Sequence, residues 1–246
     1  MRFRRFIAVL LLAILPALCR CGASRYDEAI AAAVAYLNSR GDQLQSVAVP
    51  ILGNLQRQYQ IGVDIAAAEK KALSLIEGRR RVFQRHMRGG VTASRDDIMK
   101  LRGIDHITAA ALYCDLYGLP KYFFRAVRSM ASRGGYDLTH AMLALVIVRN
   151  QRCNYDREVF RRELTAEIRQ LRTLLAENRV DSDLGIEAIL MLHLSRKSPD
   201  MAGEPSHVNP EWIEQILAAQ SADGSWYQND HTTVLALWLL LELKHS

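Results

Sequence analysis

Four stretches of this 246-residue chain place ionisable side chains where an apolar run begins: Gly103-Ile-Asp105-His106, Gly135-Tyr-Asp137-Leu-Thr139-His140, Asp181-Ser-Asp183-Leu-Gly-Ile-Glu187 and Asn229-Asp230-His231. Carboxylates and imidazoles gathered in one place suit a divalent ion such as Zn, or the shared proton transfers of a hydrolysis or elimination. Asp137 and His140 are three apart and Asp183 and Glu187 four apart, so on a helix each pair shares a face. The candidate pocket is therefore Asp105, His106, Asp137, His140, Asp183, Glu187, Asp230 and His231, with His106, His140, His231 and Asp137 as candidate metal ligands. A local role competes with this one. Aspartate is a favoured N-cap, because its oxygens satisfy free backbone N–H groups and meet the positive end of the helix dipole. His86, His193, His207 and His245 have no comparable placement and are assigned no role.

These residues can meet only if the helices behind them run side by side. Each of the four stretches leads into a continuously apolar segment, and a helix apolar on all sides has to be enclosed by other helices. Polar, amphipathic segments alternate with them at 121–132, 156–177 and 211–219. The expected fold is all-α: antiparallel helical hairpins in a complete or partial α/α toroid, with the starts of the inner helices around one mouth. The aspartates recur at intervals of 32, 46 and 47 residues, an approximate repeat. Residues 26–39 and 44–59 read as a further hairpin whose second arm Pro50 should kink or divide, residues 65–86 as a long amphipathic helix, and residues 203–208 as a surface loop. No segment has the alternation of a half-buried strand.

Within the last hairpin, Gln220-Ser-Ala-Asp223-Gly224-Ser225-Trp226 followed by His231-Thr232-Thr233 and an apolar helix resembles the hairpin turn of the α/α-toroid proteins, among them terpenoid cyclases and protein prenyltransferase β subunits. The resemblance implies a fold in which the glutamine and tryptophan brace the end of an outer helix. It does not extend to activity, because the cyclases' acidic catalytic run is met only by the fragment Asp181-Ser182-Asp183, and the prenyltransferases' zinc set has no counterpart.

Residues 1–23 have the form of a signal peptide: a basic start at Met1-Arg-Phe-Arg-Arg5, a short apolar run, and Cys21-Gly22-Ala23 before a plausible cut. Residues 24–246 then form a single domain, secreted or periplasmic, with no stable membrane span after cleavage; an uncleaved anchor is the alternative. Cleavage removes Arg2, Arg4, Arg5 and Arg20 and no acids, taking the formal charge from +6 to +2. The basic residues left, Arg79-Arg80-Arg81 with Arg85 and Arg88, suit a solvated helix face better than a nucleic-acid surface, so no nucleic-acid partner is expected. Cys114 and Cys153 would be the remaining cysteines, and in an oxidising compartment they pair or stand as two buried thiols. Trp226, Tyr227, Trp238, Tyr136, Tyr113 and Tyr117 either line a cavity or fill the core. Two functions fit: a hydrolase or lyase at the polar pocket, metal-dependent or acid/base, and a non-catalytic secreted module that binds a hydrophobic small molecule or a protein.

Overall fold

The computed structural model describes residues 25–74, 82–85, 90, 93–197 and 208–246. Residues 1–23, expected to be a signal peptide, the arginines at 79–81 and 88, His86 and His207, and nearly all of the expected 203–208 loop lie outside the described residues. The helices are α1 (Arg25–Arg40), α2 (Ala48–Tyr59), α3 (Ala66–Ser74), α4 (Arg95–Lys100), α5 (Gly103–Leu112), α6 (Cys114–Tyr117), α7 (Phe123–Ala131), α8 (Gly135–Asn150), α9 (Arg157–Glu177), α10 (Asp183–Ser195), α11 (Pro210–Ala218) and α12 (Asp230–Lys244). Among the described residues there is no strand, only an isolated bridge between Gln220 and Trp226, and no helix long and apolar enough to cross a membrane. The protein is all-α.

Local chemistry sets several helix starts. Asp156 caps the backbone N–H groups of Glu158 and Val159, Ser182 caps Gly185, Asn209 caps Glu211 ahead of Pro210, and Asn229 caps His231 and Thr232. Pro50 does not divide its helix as expected. It is the third residue of α2, in the first turn, where a backbone N–H has no helical acceptor and none is lost.

Helices α5, α8, α10 and α12 pack in series, with α2 and α1 against α12, while α7 packs against α5 and α8 and α9 against α8 and α10. In α12 every residue from Thr232 to Glu242 is buried, and α10 is buried from Gly185 to Ser195. By contrast α7 buries only Phe123, Val127, Met130 and Ala131, the spacing of a one-sided helix. Cys114 of α6 and Cys153, just beyond α8, lie at disulfide distance with Cα atoms 5.5 Å apart and 39 residues between them. Such a crosslink stabilises by about 3 to 4 kcal/mol through the loop it closes in the unfolded chain.

The turn between α11 and α12 braces two helices. Trp226 is fully buried and its indole N–H donates to the Ile216 carbonyl of α11 at 2.7 Å. Gln220 Nε2 donates to the Ala29 carbonyl of α1 at 2.9 Å and to the Gly224 carbonyl at 3.0 Å. Gly224, at φ +89°, lies against the same helix: a Cβ there would stand 2.1 Å from the Ala32 carbonyl oxygen.

Candidate functional site

A cavity of about 230 Å³ opens among α2, α5, α8, α10 and α12. One end is polar, with Asp105, Thr108, His140, Glu187 and His231; the rest is apolar, with Ile51, Leu112, Leu143, Ile147, Met191, Leu235 and Trp238 among its walls. Four of the eight expected pocket residues thus line one cavity, and a fifth, Asp183, is bonded to its edge.

Asp183 is held from three directions. Its Oδ1 accepts from Thr232 Oγ1 at 2.6 Å and faces His231 Nδ1 at 3.1 Å, and its Oδ2 accepts from the Tyr136 hydroxyl at 2.8 Å. Burial opposes its charge more than any other single influence, yet the hydrogen bonds from His231, Thr232 and Tyr136 together hold the carboxyl below the usual range. Burial likewise opposes the His231 imidazolium, but Asp183 and then Glu187 hold that ring above the ordinary histidine value. The Tyr136 phenol is pushed up to about 12, by burial first and then by its bond to Asp183.

The second pair is His140 with Glu187. His140 Nδ1 lies 2.8 Å from the Tyr136 carbonyl, one turn back, and 3.4 Å from Glu187 Oε1. Glu187 is 3% exposed and its Oε2 has no hydrogen-bond partner. Burial pushes its carboxyl up, against the pull of His140, the Thr139 hydroxyl and His231. Both imidazoles are therefore engaged through Nδ1, which leaves Nε2 of each to accept a proton. On α10 two carboxyls one turn apart are driven in opposite directions, an arrangement that separates a proton donor from a charge-stabilising base partner.

The other expected residues are spent elsewhere. His106 bridges the Ile98 carbonyl at 3.0 Å and the Tyr122 hydroxyl at 2.6 Å, tying α4 to the start of α7. Asp137 pairs with Arg133 on the surface. Asp230 is 1% exposed and accepts from Tyr36 at 3.1 Å, from Arg40 at 3.1 Å and from the Gln45 backbone at 2.8 Å, bracing α1 and the turn after it. The set His106, His140, His231 and Asp137 is accordingly not assembled, and among the described residues no three His, Cys, Asp or Glu side chains are placed to hold a metal ion. The reason is helical pitch. Neighbouring positions point about 100° apart, so Asp105 and His106, or Asp230 and His231, cannot both face one cavity.

None of the four aspartates, Asp105, Asp137, Asp183 and Asp230, is itself the N-cap, though each stands at the positive end of its helix dipole. Each lies inside its helix's first turn, and at α10 and α12 the capping is done by Ser182 and Asn229. Of the aromatic residues, Trp238 lines the cavity and Tyr136 supports it. Tyr113 and Tyr117 donate to the carbonyls of Val82 and Ala93, and Tyr227 sits with Asp181 and Arg179 on the surface. Thr108 and Thr232 were not expected as site residues, and Tyr136 was expected only as a cavity-lining or core aromatic. Only Thr108 carried a local signal, three residues after Asp105 on an apolar helix.

Compared with protein-family models, curated proteins and solved structures, the chain matches none of them.

Proposed function

We propose that the chain is an exported acid/base hydrolase, built as a partial α/α toroid, that acts on a small and largely apolar molecule. Serial packing of α2, α12, α10, α8 and α5 around one cavity supports the toroid. The pairing of Cys114 with Cys153 supports an oxidising, non-cytoplasmic location. A small molecule is the proposed partner, and no nucleic-acid partner is proposed.

The observation that carries the proposal is the Asp183–His231 pair at the polar end of an apolar cavity. With Nδ1–H directed to Asp183, the neutral His231 ring keeps its lone pair on Nε2 and can take a proton from a water molecule. The water oxygen bonds to the substrate's electrophilic carbon, the bond to the leaving oxygen breaks, and the imidazolium returns its proton to that oxygen. No step is routed through a metal, since two of the four residues expected to ligate one, His106 and Asp137, are engaged away from the cavity.

Turnover of a panel of small hydrophobic esters and amides, followed by mass spectrometry, tests this. His231→Gln should lower turnover by at least about a hundredfold while far-UV circular dichroism stays unchanged. Equal turnover in wild type and variant would overturn it. A non-catalytic module for a hydrophobic ligand is the alternative, favoured by the extent of the apolar wall; a co-purifying small molecule recovered unaltered, with no turnover across the panel, would establish it.

A further inference from the structure

Threonines in helices normally satisfy their hydroxyl on a carbonyl one turn back. Thr139 does so on Tyr136 at 3.0 Å and Thr233 on Asn229 at 2.7 Å, while Thr232 donates to Asp183 at 2.6 Å. Thr108 is different: its residue is 8% exposed, and its hydroxyl has no hydrogen-bond partner. Glu187 Oε2 is in the same condition. Both residues line the one cavity, from α5 and α10. A buried polar atom left unsatisfied costs about 1 to 3 kcal/mol, so two of them in one cavity point to a group that completes them on binding.

We infer that Thr108 and Glu187 form a two-donor cradle for a carbonyl oxygen, and that the substrate class is an uncharged ester with an apolar acyl chain. Burial of Glu187 supports this, because it favours the protonated carboxyl, which has an O–H to give. Thr108 supplies the second O–H. A carbonyl oxygen has two lone pairs and accepts both, and it accepts them more strongly as it becomes an oxyanion. The acyl chain would lie along Leu143, Ile147, Met191 and Trp238. The inference rests on the acid/base reading of the cavity, and it adds what the cavity holds.

A ketone that cannot be hydrolysed separates the two. Titrate 2-heptanone carrying ¹³C at the carbonyl into the wild-type protein and follow that resonance. Binding should be saturable, with a downfield shift relative to the ketone in an apolar solvent. Thr108→Val combined with Glu187→Met, both close in size to the native residues, should abolish the shift and weaken binding about tenfold or more. Glu187→Gln alone, whose amide still donates, should retain most of both, and His231→Gln should retain all. Absence of ketone binding to wild type, or equal affinity and shift in the double variant, overturns the cradle even if esters are turned over. A cradle that behaves as stated beside a protein that turns over no ester leaves the inference about recognition standing and sinks the hydrolase.

Discussion

The Tyr136 hydroxyl donates to Asp183 Oδ2 at 2.8 Å across 47 residues of sequence, and the carbonyl of the same tyrosine lies 2.8 Å from His140 Nδ1. One residue of α8 therefore orients both histidine–carboxylate pairs, one through its side chain and one through its backbone. Tyr136→Phe removes the first link alone. Asp183 would lose a donor that spreads its charge and become a stronger acceptor for His231, so the His231 titration midpoint should rise. Imidazole NMR titration of wild type and variant measures it, and coincident curves would contradict the role given to the hydroxyl.

Activity should follow a bell in pH. His231 must be neutral to take a proton, and Asp183 outweighs burial to hold its value above the ordinary 6.5. Glu187 must be protonated to donate, and burial holds its carboxyl above 4.5. The product of the two fractions sets the maximum. Glu187→Gln cannot ionise, so its pH–rate profile should show a single acidic limb, set by His231 and centred above 6.5. The stability that the Asp183 pair lends His231 has the same sign: it is fully present below the unfolded histidine value and is lost as pH rises through the folded one.

Glu167 on α9 is 2% exposed, and neither of its carboxyl oxygens has a hydrogen-bond partner. Burial, and then the neighbouring charge of Glu163, drive its carboxyl well above 4.5. A folded-state value raised this way gives stability that is full below the unfolded value and declines as pH rises toward the folded one. Glu167→Met should therefore stabilise the protein by about 1 to 3 kcal/mol near neutrality, and by less at about pH 4. Urea denaturation at both ends measures the gap. A gap that does not change with pH would show that the carboxyl is not buried in the neutral form.

Gly224→Ala should destabilise by about 3 kcal/mol or more, combining a positive φ with overpacking against α1. Thermal unfolding measures it, and a loss under about 1 kcal/mol would mean that the turn and α1 separate easily.

Much of this was legible in the chain because it depends on local pattern. Apolar runs behind the four motifs became α5, α8, α10 and α12, and Gln220 and Trp226 became braces. Cys114 and Cys153 were nominated as the two cysteines outside residues 1–23, and they meet. The site was legible in part. Asp105, His140, Glu187 and His231 share a cavity, but His106, Asp137 and Asp230 were grouped with them on nearness in sequence, where rotation about each helix axis sends them elsewhere. Asp230 in particular looked like a cap or a pocket residue and is a buried anchor for Arg40 and Tyr36. Tyr136 was invisible as a support because its partner is 47 residues away.

The bonds from Gln220 to Ala29 and from Asp230 to Tyr36 span 191 and 194 residues. A ribosome completes α1 long before it makes α12, the helix that packs against it. Until then the Ala29, Ala33 and Leu37 stripe of α1 has no permanent cover. Contacts this distant also delay the final step of folding, since the chain between them must be gathered first. The nascent protein therefore spends most of its synthesis with an open apolar seam along α1, and α12 acts as the latch that closes it.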